Sequence, residues 1–252
     1  MPPPVTPRVS VVTPVWNAAA TLAETVASVR AQSVEDWEML LVDDGSADGS
    51  RALAEALAAD EPRLRVMGWR DNRGPAAARN AGIRAARGRY IAFLDSDDRW
   101  RPEKLARQLA VMEDEGEALV FSSYQRIDEG GRPLGQVQAR PRVRYREALY
   151  GNPIGCLTAI YDAGRLGKVE MPDIYRRQDY GLWLDLLKRI PAARGLPEVL
   201  ADYRVRPGSL SSNKVKGAKA TWDIYRRIAG LSRTRSGYYF TAYAVKAVIS
   251  RL

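Results

Sequence analysis

The sequence predicts an α/β fold in which helices flank a mostly parallel sheet, with a helical extension at the C-terminal end. Through the first hundred residues, apolar runs of strand length alternate with segments of helical pattern. Strands separated by helices of that length are joined by right-handed crossovers and pair in parallel. Polar residues follow each apolar run, at the sheet edge where such folds bind ligands. A chain of 252 residues is long enough for one large domain of this kind.

Each element is predicted from a local pattern. Short apolar runs predict strands at residues 9–15, 37–42, 64–67 and 90–94. The segments between them have helical patterns, at residues 19–30, 47–59 and 75–87. Pro102 indicates a further helix to about residue 112, before a strand at 118–122. Residues 128–144 are rich in Gly, Pro and Arg, which predicts a mobile surface loop. Toward the C-terminal end, helices are predicted at residues 178–189, 214–231 and 238–250.

The composition restricts the chemistry that the chain can perform. Histidine is absent, so any acid–base chemistry falls to carboxylates. The single cysteine, Cys156, cannot form an internal disulfide and no CxxC motif exists, which favours a reducing compartment and argues against structural zinc. The sequence has no secretory signal pattern and no run near the roughly 20 apolar residues that span a bilayer. We therefore expect a cytoplasmic protein.

The charge predicts anionic partners. The formal net charge is +9 and is carried mostly by arginine, which suits phosphate and carboxylate binding. An anionic small substrate and an anionic membrane face both fit this charge. The last predicted helix is amphipathic; packing against the domain is the favoured interpretation, and peripheral contact at the inner membrane face is the alternative. No nucleic-acid motif is present and the arginines are dispersed, so no nucleic-acid partner is expected.

An acidic turn ends the fourth predicted strand and is the most informative segment of the chain. Asp95 and Asp97 are two residues apart and face the same way in extended backbone, and a bend can bring Asp98 beside them. Two unit charges about 4 Å apart repel by roughly 1 kcal/mol in water and roughly 4 kcal/mol in a shielded site, so the cluster needs a counter-charge. Mg²⁺ or Mn²⁺ with a phosphate-bearing substrate would supply it. The alternative is a solvated acidic turn.

Two further segments carry polar residues at the same predicted edge. Asp43 and Asp44 end the second strand and could bind a base edge or ribose hydroxyls, although Asp-Gly followed by Ser46 is also an ordinary turn with a helix cap. Arg79 lies in a helix whose start offers free N–H groups to a diphosphate; a surface arginine is the alternative. Neither GxGxxG nor GxxxxGK[ST] is present, which argues against NAD-type and P-loop nucleotide binding.

Together these segments resemble the family-two glycosyltransferases, which have the GT-A fold. The matching residues are 11–17, 41–46, 72–82, 88–100 and 177–184. The resemblance implies a Rossmann-like GT-A domain and an inverting, metal-dependent enzyme that uses a nucleotide sugar. It further implies a nucleotide-sugar-binding half at 1–112, an acceptor-binding half with the catalytic base at 113–213, and C-terminal helices on the acceptor side at 214–252.

The resemblance also implies roles for individual residues. Asp97 would ligate Mg²⁺ or Mn²⁺, and Asp95 would contact the metal or the ribose. The catalytic base would be Asp179, in a Gln-Asp pair where the family usually has Glu-Asp; a helix-capping aspartate is the alternative. Arg206 stands where relatives often have His and could bind the diphosphate. The remaining substrate-binding residues would be Thr13, Pro14, Val15, Asn17, Asp43, Asp44, Asn72, Gly74, Arg79, Ser96 and Trp183.

The predicted function is transfer of a sugar from a UDP- or GDP-type donor to an acceptor hydroxyl on a glycan or a lipid-linked molecule, in polysaccharide or glycolipid assembly. One alternative is a protein that binds the sugar nucleotide without transfer. Another is a phosphatase of the haloacid-dehalogenase kind, but its motif needs Thr or Val where this chain has Arg99. The donor sugar and the acceptor are not predicted.

Overall fold

The computed structural model describes residues 6–174, 176–206 and 214–249, and the side chains of these except at 214–216 and 246–249. The strands of the described chain are β1 Val9–Val15, β2 Trp37–Asp44, β3 Leu64–Trp69, β4 Tyr90–Phe93, β5 Arg99–Trp100, β6 Leu119–Ile127, β7 Pro133–Val137, β8 Arg142–Val143, β9 Ile160–Asp162 and β10 Ala193–Arg204. The α-helices are α1 Leu22–Arg30, α2 Ser50–Asp60, α3 Pro75–Ala85, α4 Lys104–Asp114, α5 Tyr145–Ala148, α6 Ala163–Leu166, α7 Gln178–Leu187, α8 Lys214–Asp223 and α9 Arg233–Ile249. A 3₁₀ turn spans Cys156–Thr158, and a π-helical turn at Ile224–Ile228 continues α8.

All ten strands belong to one sheet, which confirms the α/β class. The order is β3-β2-β1-β4-β9-β6-β10-β5, with β7 paired to β6 and β8 to β10. The first four strands pair in parallel, as the strand–helix alternation predicts. β9 then runs antiparallel between β4 and β6, whereas β10 is parallel to β6. The sheet is therefore parallel in its N-terminal half and mixed beyond β4.

The four N-terminal strands are confirmed, but several later elements differ from the prediction. Residues 128–144 are not a plain loop, because β7 and β8 form there; every residue of β7 is exposed, so the strand has no apolar pattern to reveal it. β10 was also missed, since Gly195, Pro197 and charged residues interrupt its apolar run. α9 begins at Arg233, earlier than predicted, and the predicted end of that helix at residue 250 lies outside the described residues.

The two faces of the sheet are covered by different helices. α1, α2 and α4 pack on one face with residues such as Leu22, Ala54 and Leu105. α3, α5, α7 and the π-helical turn pack on the other face with residues such as Ala78 and Leu184. Every residue of β2 is buried, because a central parallel strand has helices on both sides. No helix in the described part of the chain is long and apolar enough to cross a membrane.

α3 lies unusually close to the sheet at Gly82. A Cβ atom at this position would lie 2.5 Å from Cγ1 of Val12 on β1. The glycine therefore lets the helix that carries Arg79 approach the strand that leads to Thr13. By contrast, a Cβ atom added at Gly237 in α9 would have no neighbouring atom within 4 Å.

These two glycines give a matched stability test. We expect Gly82→Ala to lower the free energy of unfolding by about 1–3 kcal/mol, because the added methyl group overpacks against Val12. Gly237→Ala should raise it by about 0.5–1 kcal/mol, because alanine favours the helix and meets no neighbour. Urea denaturation followed by circular dichroism measures both. Equal effects of the two substitutions would contradict the close packing of α3.

Candidate active site

The acidic turn after β4 has two partly exposed carboxylates and one buried carboxylate. The side chains of Asp95 and Asp97 are 31% and 33% exposed. Asp98 is only 1% exposed, and its Oδ1 accepts a hydrogen bond from the backbone N–H of Arg204 at 2.8 Å. Burial and the charges of Asp97 and Asp95 raise the pKa of Asp98 well above its usual range. The bend thus brings Asp98 close enough to Asp95 and Asp97 for their charges to interact, but its side chain is buried and fixes the turn to the end of β10.

Arginines provide the counter-charge of the two partly exposed carboxylates. Arg79 on α3 forms an ion pair with Asp95, and the Nε of Arg206 lies 3.4 Å from Oδ2 of Asp97. Arg206 also donates to Oγ1 of Thr21 at 2.9 Å. Partial burial and the charge of Asp95 raise the pKa of Asp97, whereas the nearby arginines oppose this rise. The predicted diphosphate-binding arginines thus lie beside the predicted metal ligands.

The residues present fit a divalent cation bound together with a substrate. Among the described residues, no group of three acidic or cysteine side chains is placed to hold a metal ion by itself. Asp95 and Asp97 nevertheless offer hard oxygen ligands on a partly exposed surface. Mg²⁺ usually takes one or two protein carboxylates and completes its coordination with water and substrate phosphates. The donor set suits that arrangement and does not suit a closed protein-only metal site.

Two buried polar atoms of β1 and β2 near this edge have no hydrogen-bond partner within the described part of the chain. They are Oγ1 of Thr13 and Oδ1 of Asp43, in residues that are 0% and 2% exposed. A buried polar group without a partner costs about 1–3 kcal/mol, so such groups need a reason to persist. Binding of a hydrogen-bonding ligand would provide that reason. Pro14 is half-buried beside them.

Asp44 has a different role from its neighbour. Its Oδ1 accepts hydrogen bonds from the Trp69 indole at 2.6 Å and the Arg73 backbone at 2.8 Å, and its Oδ2 accepts from the Gly74 backbone at 2.8 Å. Asp44 therefore fixes the loop that precedes α3. Gly74 has φ of +91° at the start of that helix, and Asn72 is exposed in the same loop. Whether Asp44 also contacts a ligand stays a prediction.

Asn17 and Ser96 lie in loops that join the elements around the site. The Oδ1 of Asn17 accepts a hydrogen bond from the Ala47 backbone at 2.9 Å, and its own backbone N–H donates to Oγ of Ser46 at 3.0 Å. Asn17 has φ of +47°, a conformation that asparagine adopts more readily than most residues. The carbonyl of Ser96 accepts from Oγ1 of Thr21 at 2.9 Å. These bonds hold the loops after β1, β2 and β4 together.

Asp179 lies in the first turn of α7, as predicted. Its Oδ2 accepts a hydrogen bond of 2.8 Å from the side-chain amide of Asn152. Burial raises the pKa of Asp179, while the charge of Arg79 and the bonds from the Tyr180 backbone and Asn152 oppose the rise. A carboxylate with a raised pKa accepts a proton more readily than an ordinary aspartate.

Arg79 connects the two halves of the site. Its side chain is 9% exposed, and its Nε is buried without a hydrogen-bond partner among the described residues. Burial by itself would lower the pKa of Arg79, but the charge and the hydrogen bond of Asp95, with a smaller contribution from the charge of Asp179, raise it. Arg79 is therefore paired with Asp95 and close enough to Asp179 for their charges to interact. The structure brings the acidic turn and the predicted base to one place.

Two predicted substrate-binding residues are corrected by the structure. Trp183 is 0% exposed, and its ring packs edge-on against Phe93 with 5.9 Å between ring centroids. Val15 is also 0% exposed and belongs to the core on the other face of the sheet. Neither side chain reaches a surface that a substrate could contact. A sequence motif can include core residues that shape a site without lining it.

Three residues that support the site were missed from the sequence. Asn152 contacts the predicted base, Thr21 bonds Arg206, and Arg204 donates its Nε–H to the carbonyl of Asp97 at 2.9 Å. Asn152 and Thr21 lie far from any acidic motif. Of the three, only Arg204 could have been noticed in the sequence, because it lies two residues before the predicted binding residue Arg206. Arg204 ends β10, the strand that pairs with β5.

Comparisons with known proteins identify relatives of this chain. The family model described as "Glycosyl transferase family 2" matches residues 10–165. The teichuronic acid biosynthesis glycosyltransferase TuaG of Bacillus subtilis is 42% identical over 247 residues, which is 98% of each chain. The Escherichia coli UDP-Glc:alpha-D-GlcNAc-diphosphoundecaprenol beta-1,3-glucosyltransferase WfgD is 34% identical over 217 residues, 86% of this chain and 84% of that protein.

Solved structures show the same fold at low sequence identity. S. aureus TarS 1-349 in complex with UDP-GlcNAc superposes with a TM-score of 0.75 at 21% identity, covering 94% of this chain and 71% of TarS. The mannosyltransferase PcManGT from Pyrobaculum calidifontis, in complex with GDP-Man and Mn2+, has a TM-score of 0.71 at 19% identity, covering 96% of this chain and 73% of that one. These likenesses establish the fold.

The adjacent acids Asp43 and Asp44 give a test of their different roles. We expect Asp44→Asn to lower the free energy of unfolding by about 2–4 kcal/mol, because it weakens three charge-assisted hydrogen bonds that hold the loop before α3. Asp43→Asn should change it by less than about 1 kcal/mol, because Oδ1 of Asp43 has no partner to lose. Chemical denaturation at neutral pH measures both. Equal destabilisation would contradict the assignment of Asp44 as the residue that holds the loop.

Proposed function

Because this chain belongs to glycosyl transferase family 2, we propose that it transfers a sugar from a nucleoside-diphosphate sugar to an acceptor hydroxyl and inverts the anomeric carbon. The observation that carries the proposal is the position of Arg79. This buried cation pairs with Asp95 on the donor side and interacts with Asp179 on the acceptor side. A donor diphosphate and an attacking hydroxyl would then meet within one site, as a single-step displacement requires.

On the donor side, the nucleoside would lie over the ends of β1 and β2. The unpartnered Oγ1 of Thr13 and Oδ1 of Asp43 would gain hydrogen bonds from it, and Pro14 lies beside them. Arg79 and Arg206 would bind the diphosphate oxygens, because guanidinium groups match phosphate geometry. The exposed Asn72 and the Gly74 backbone would border the same pocket. This arrangement fits UDP- and GDP-type donors equally.

Asp95 and Asp97 would hold Mg²⁺ or Mn²⁺ when the donor binds. When bound, the ion would neutralise negative charge on the diphosphate leaving group. PcManGT, with the same fold, is described in complex with GDP-Man and Mn2+. The two carboxylates at the end of β4 and the arginines beside them would orient the diphosphate so that the anomeric carbon faces α7.

On the acceptor side, Asp179 would remove the proton from the attacking hydroxyl. Its raised pKa makes it a stronger base than an ordinary aspartate, and Asn152 holds one of its oxygens in place. The proton would move to the carboxylate of Asp179 as the hydroxyl attacks the anomeric carbon and the bond to the diphosphate breaks. Arg79 would stabilise the ionised form of Asp179 before the reaction.

This placement of the donor residues and the base would give each part of the chain a different role. Residues 1–112 would bind the nucleotide sugar, residues 113–213 would bind the acceptor and carry the base, and the helices at 214–252 would complete the acceptor side. The acceptor would be a glycan or a lipid-linked sugar in polysaccharide or glycolipid assembly. This proposal draws on the printed names of the relatives TuaG and WfgD. Enzymes that act on a lipid-linked acceptor would work in the cytoplasm at the inner membrane face.

Substitution of Asp97 tests its role as a metal ligand. We expect Asp97→Asn to weaken the binding of UDP or GDP in the presence of Mn²⁺ by at least about tenfold, because one ligand of the ion is lost. Without Mn²⁺ the variant and the parent should bind nucleotide alike. Isothermal titration calorimetry with and without the ion gives the four values. Loss of binding in both conditions would remove Asp97 from the metal site.

Substitution of Asp179 tests its role as the catalytic base. We expect Asp179→Asn to keep nucleotide binding and to lower the transfer rate by about 10²–10⁴-fold, because general base catalysis typically contributes that much. The nucleotide released during turnover measures transfer. Retained transfer would exclude Asp179 as the base. Retained nucleotide binding without transfer in the parent protein, over a panel of donors and acceptors, would favour a non-catalytic binding protein.

The pH dependence tests the environment of the base. A base must be ionised to act, so a raised pKa means that transfer is lost as the pH falls through a value above the ordinary 3.8 of aspartic acid. Asn152→Ala removes a hydrogen bond that favours the ionised form, so the acidic limb of the rate profile should move to higher pH. The maximal rate should also fall, because the carboxylate is less well oriented. An unmoved limb would leave Asn152 without a role in positioning the base.

A further inference from the structure

An open groove lies between α5 and α9, outside the donor site. Its volume is about 590 Å³, which is within the range of small-molecule sites. The α5 side contributes Tyr145, Arg146 and Leu149, and the α9 side contributes Arg235, Tyr238 and Tyr239. The groove thus combines two guanidinium groups with three tyrosine rings. The donor-side proposal uses none of these residues.

The charge of the groove is not neutralised by the protein. Arg146 and Arg235 are exposed, and neither forms an ion pair within the described part of the chain. The acid on α5, Glu147, accepts a hydrogen bond from the Arg144 backbone at 2.7 Å and so caps its own helix. Lys188 adds a further positive charge, with its Nζ 5.8 Å from the centre of the Tyr145 ring. An anionic ligand would complement this surface.

Aromatic contacts connect the groove to the base. The hydroxyl groups of Tyr150 and Tyr238 are 3.3 Å apart, and the Tyr150 ring lies edge-on to Tyr239 with 5.1 Å between centroids. Tyr150 precedes Asn152, the partner of Asp179, by two residues. Two residues of extended chain span at most about 7 Å, so the groove begins close to the base.

Tyr243 of α9 also connects this helix to the segments around Asp179. It lies one helical turn beyond Tyr239 on α9, and its hydroxyl accepts a hydrogen bond from Arg177 at 2.6 Å. Arg177 has φ of +61° and immediately precedes the Gln178-Asp179 pair. The Tyr243 ring also lies 3.6 Å from the position of a Cβ at Gly151. One tyrosine of α9 therefore contacts both segments that carry the base and its partner.

We propose that the groove binds the diphosphate head group of a lipid-linked acceptor, with the diphosphate between Arg146 and Arg235 and its sugar directed toward Asp179. This inference rests on the proposed function and names the class of acceptor. Paired guanidinium groups match a diphosphate, and tyrosine rings offer an amphipathic surface to the first sugar or to the start of the lipid chain. The groove opens to solvent, so the rest of a lipid can remain in the membrane.

The test compares two double variants in a vesicle-binding assay. Arg146→Gln/Arg235→Gln removes the two groove arginines. Arg30→Gln/Arg51→Gln removes the same charge from α1 and α2, which pack on the opposite face of the sheet. The probes are phosphatidylcholine vesicles that contain either a polyprenyl diphosphate or phosphatidylglycerol at matched surface charge. Sedimentation measures the bound fraction, and melting curves establish that the variants fold.

We expect the parent protein to prefer the polyprenyl diphosphate vesicles, and the groove variant to bind them at least about tenfold more weakly, because two charge-assisted contacts are lost. The control variant should bind as the parent does. Equal loss in both variants would overturn the proposal in favour of general electrostatic attraction, and equal affinity of the parent for both vesicles would overturn it in favour of ordinary membrane lipid. If the groove variant does not fold, Tyr238→Ala replaces it with the same expected direction.

Nucleotide binding in the same preparations separates this inference from the proposed function. We expect UDP or GDP binding to be unchanged in both double variants, because neither pair of arginines touches the donor side. A parent protein that binds no nucleotide would overturn the proposed function. A parent protein that binds nucleotide but not the polyprenyl diphosphate would overturn only the groove.

Discussion

The rest of the site depends on the ion pair between the buried guanidinium group of Arg79 and the carboxylate of Asp95. A charge that is taken out of water needs a partner, and Asp95 supplies one. The pair fixes α3 to the end of β4, and Gly82 allows the close approach of α3 to β1 that this contact requires. The charge of Asp179 also reaches Arg79, so the same buried cation lies near both the acidic turn and the predicted base. Among the described residues its Nε has no hydrogen-bond partner.

The mixed half of the sheet builds the other side of the site. β5 follows the acidic turn directly and pairs antiparallel with β10, where Asp202 lies opposite Arg99. The end of β10 then supplies Arg204, whose backbone and side chain hold Asp98 and the carbonyl of Asp97, and Arg206, which lies beside Asp97. Asp98 and Asp44 hold loops through hydrogen bonds, whereas Asp97 is partly exposed and Oδ1 of Asp43 has no hydrogen-bond partner among the described residues. Neighbouring acids in one motif therefore differ because their carboxylates meet different partners in the fold.

The acceptor side depends on aromatic packing. α9 contacts the Asn152 segment and the start of α7 through Tyr239 and Tyr243, so the C-terminal helix supports the base as well as bordering the groove. The hydrogen bond and the ring contact between Arg177 and Tyr243 stabilise a left-handed backbone conformation just before Asp179. Tyr239 thus borders the groove and also packs against Tyr150, two residues before Asn152.

The sequence by itself determined the parallel half of the sheet and the acidic ends of its strands, because buried strands between helices leave a strong local pattern and motif residues are contiguous. It also determined the family and the candidate base. Only the tertiary structure decided that Asp44 and Asp98 hold loops, that Val15 and Trp183 belong to the core, and that Asn152 contacts Asp179. It also decided the pairing of β7, β8 and β10. These features depend on contacts between residues far apart in the chain, and neither periodicity nor a motif records which distant groups will meet when the sheet closes.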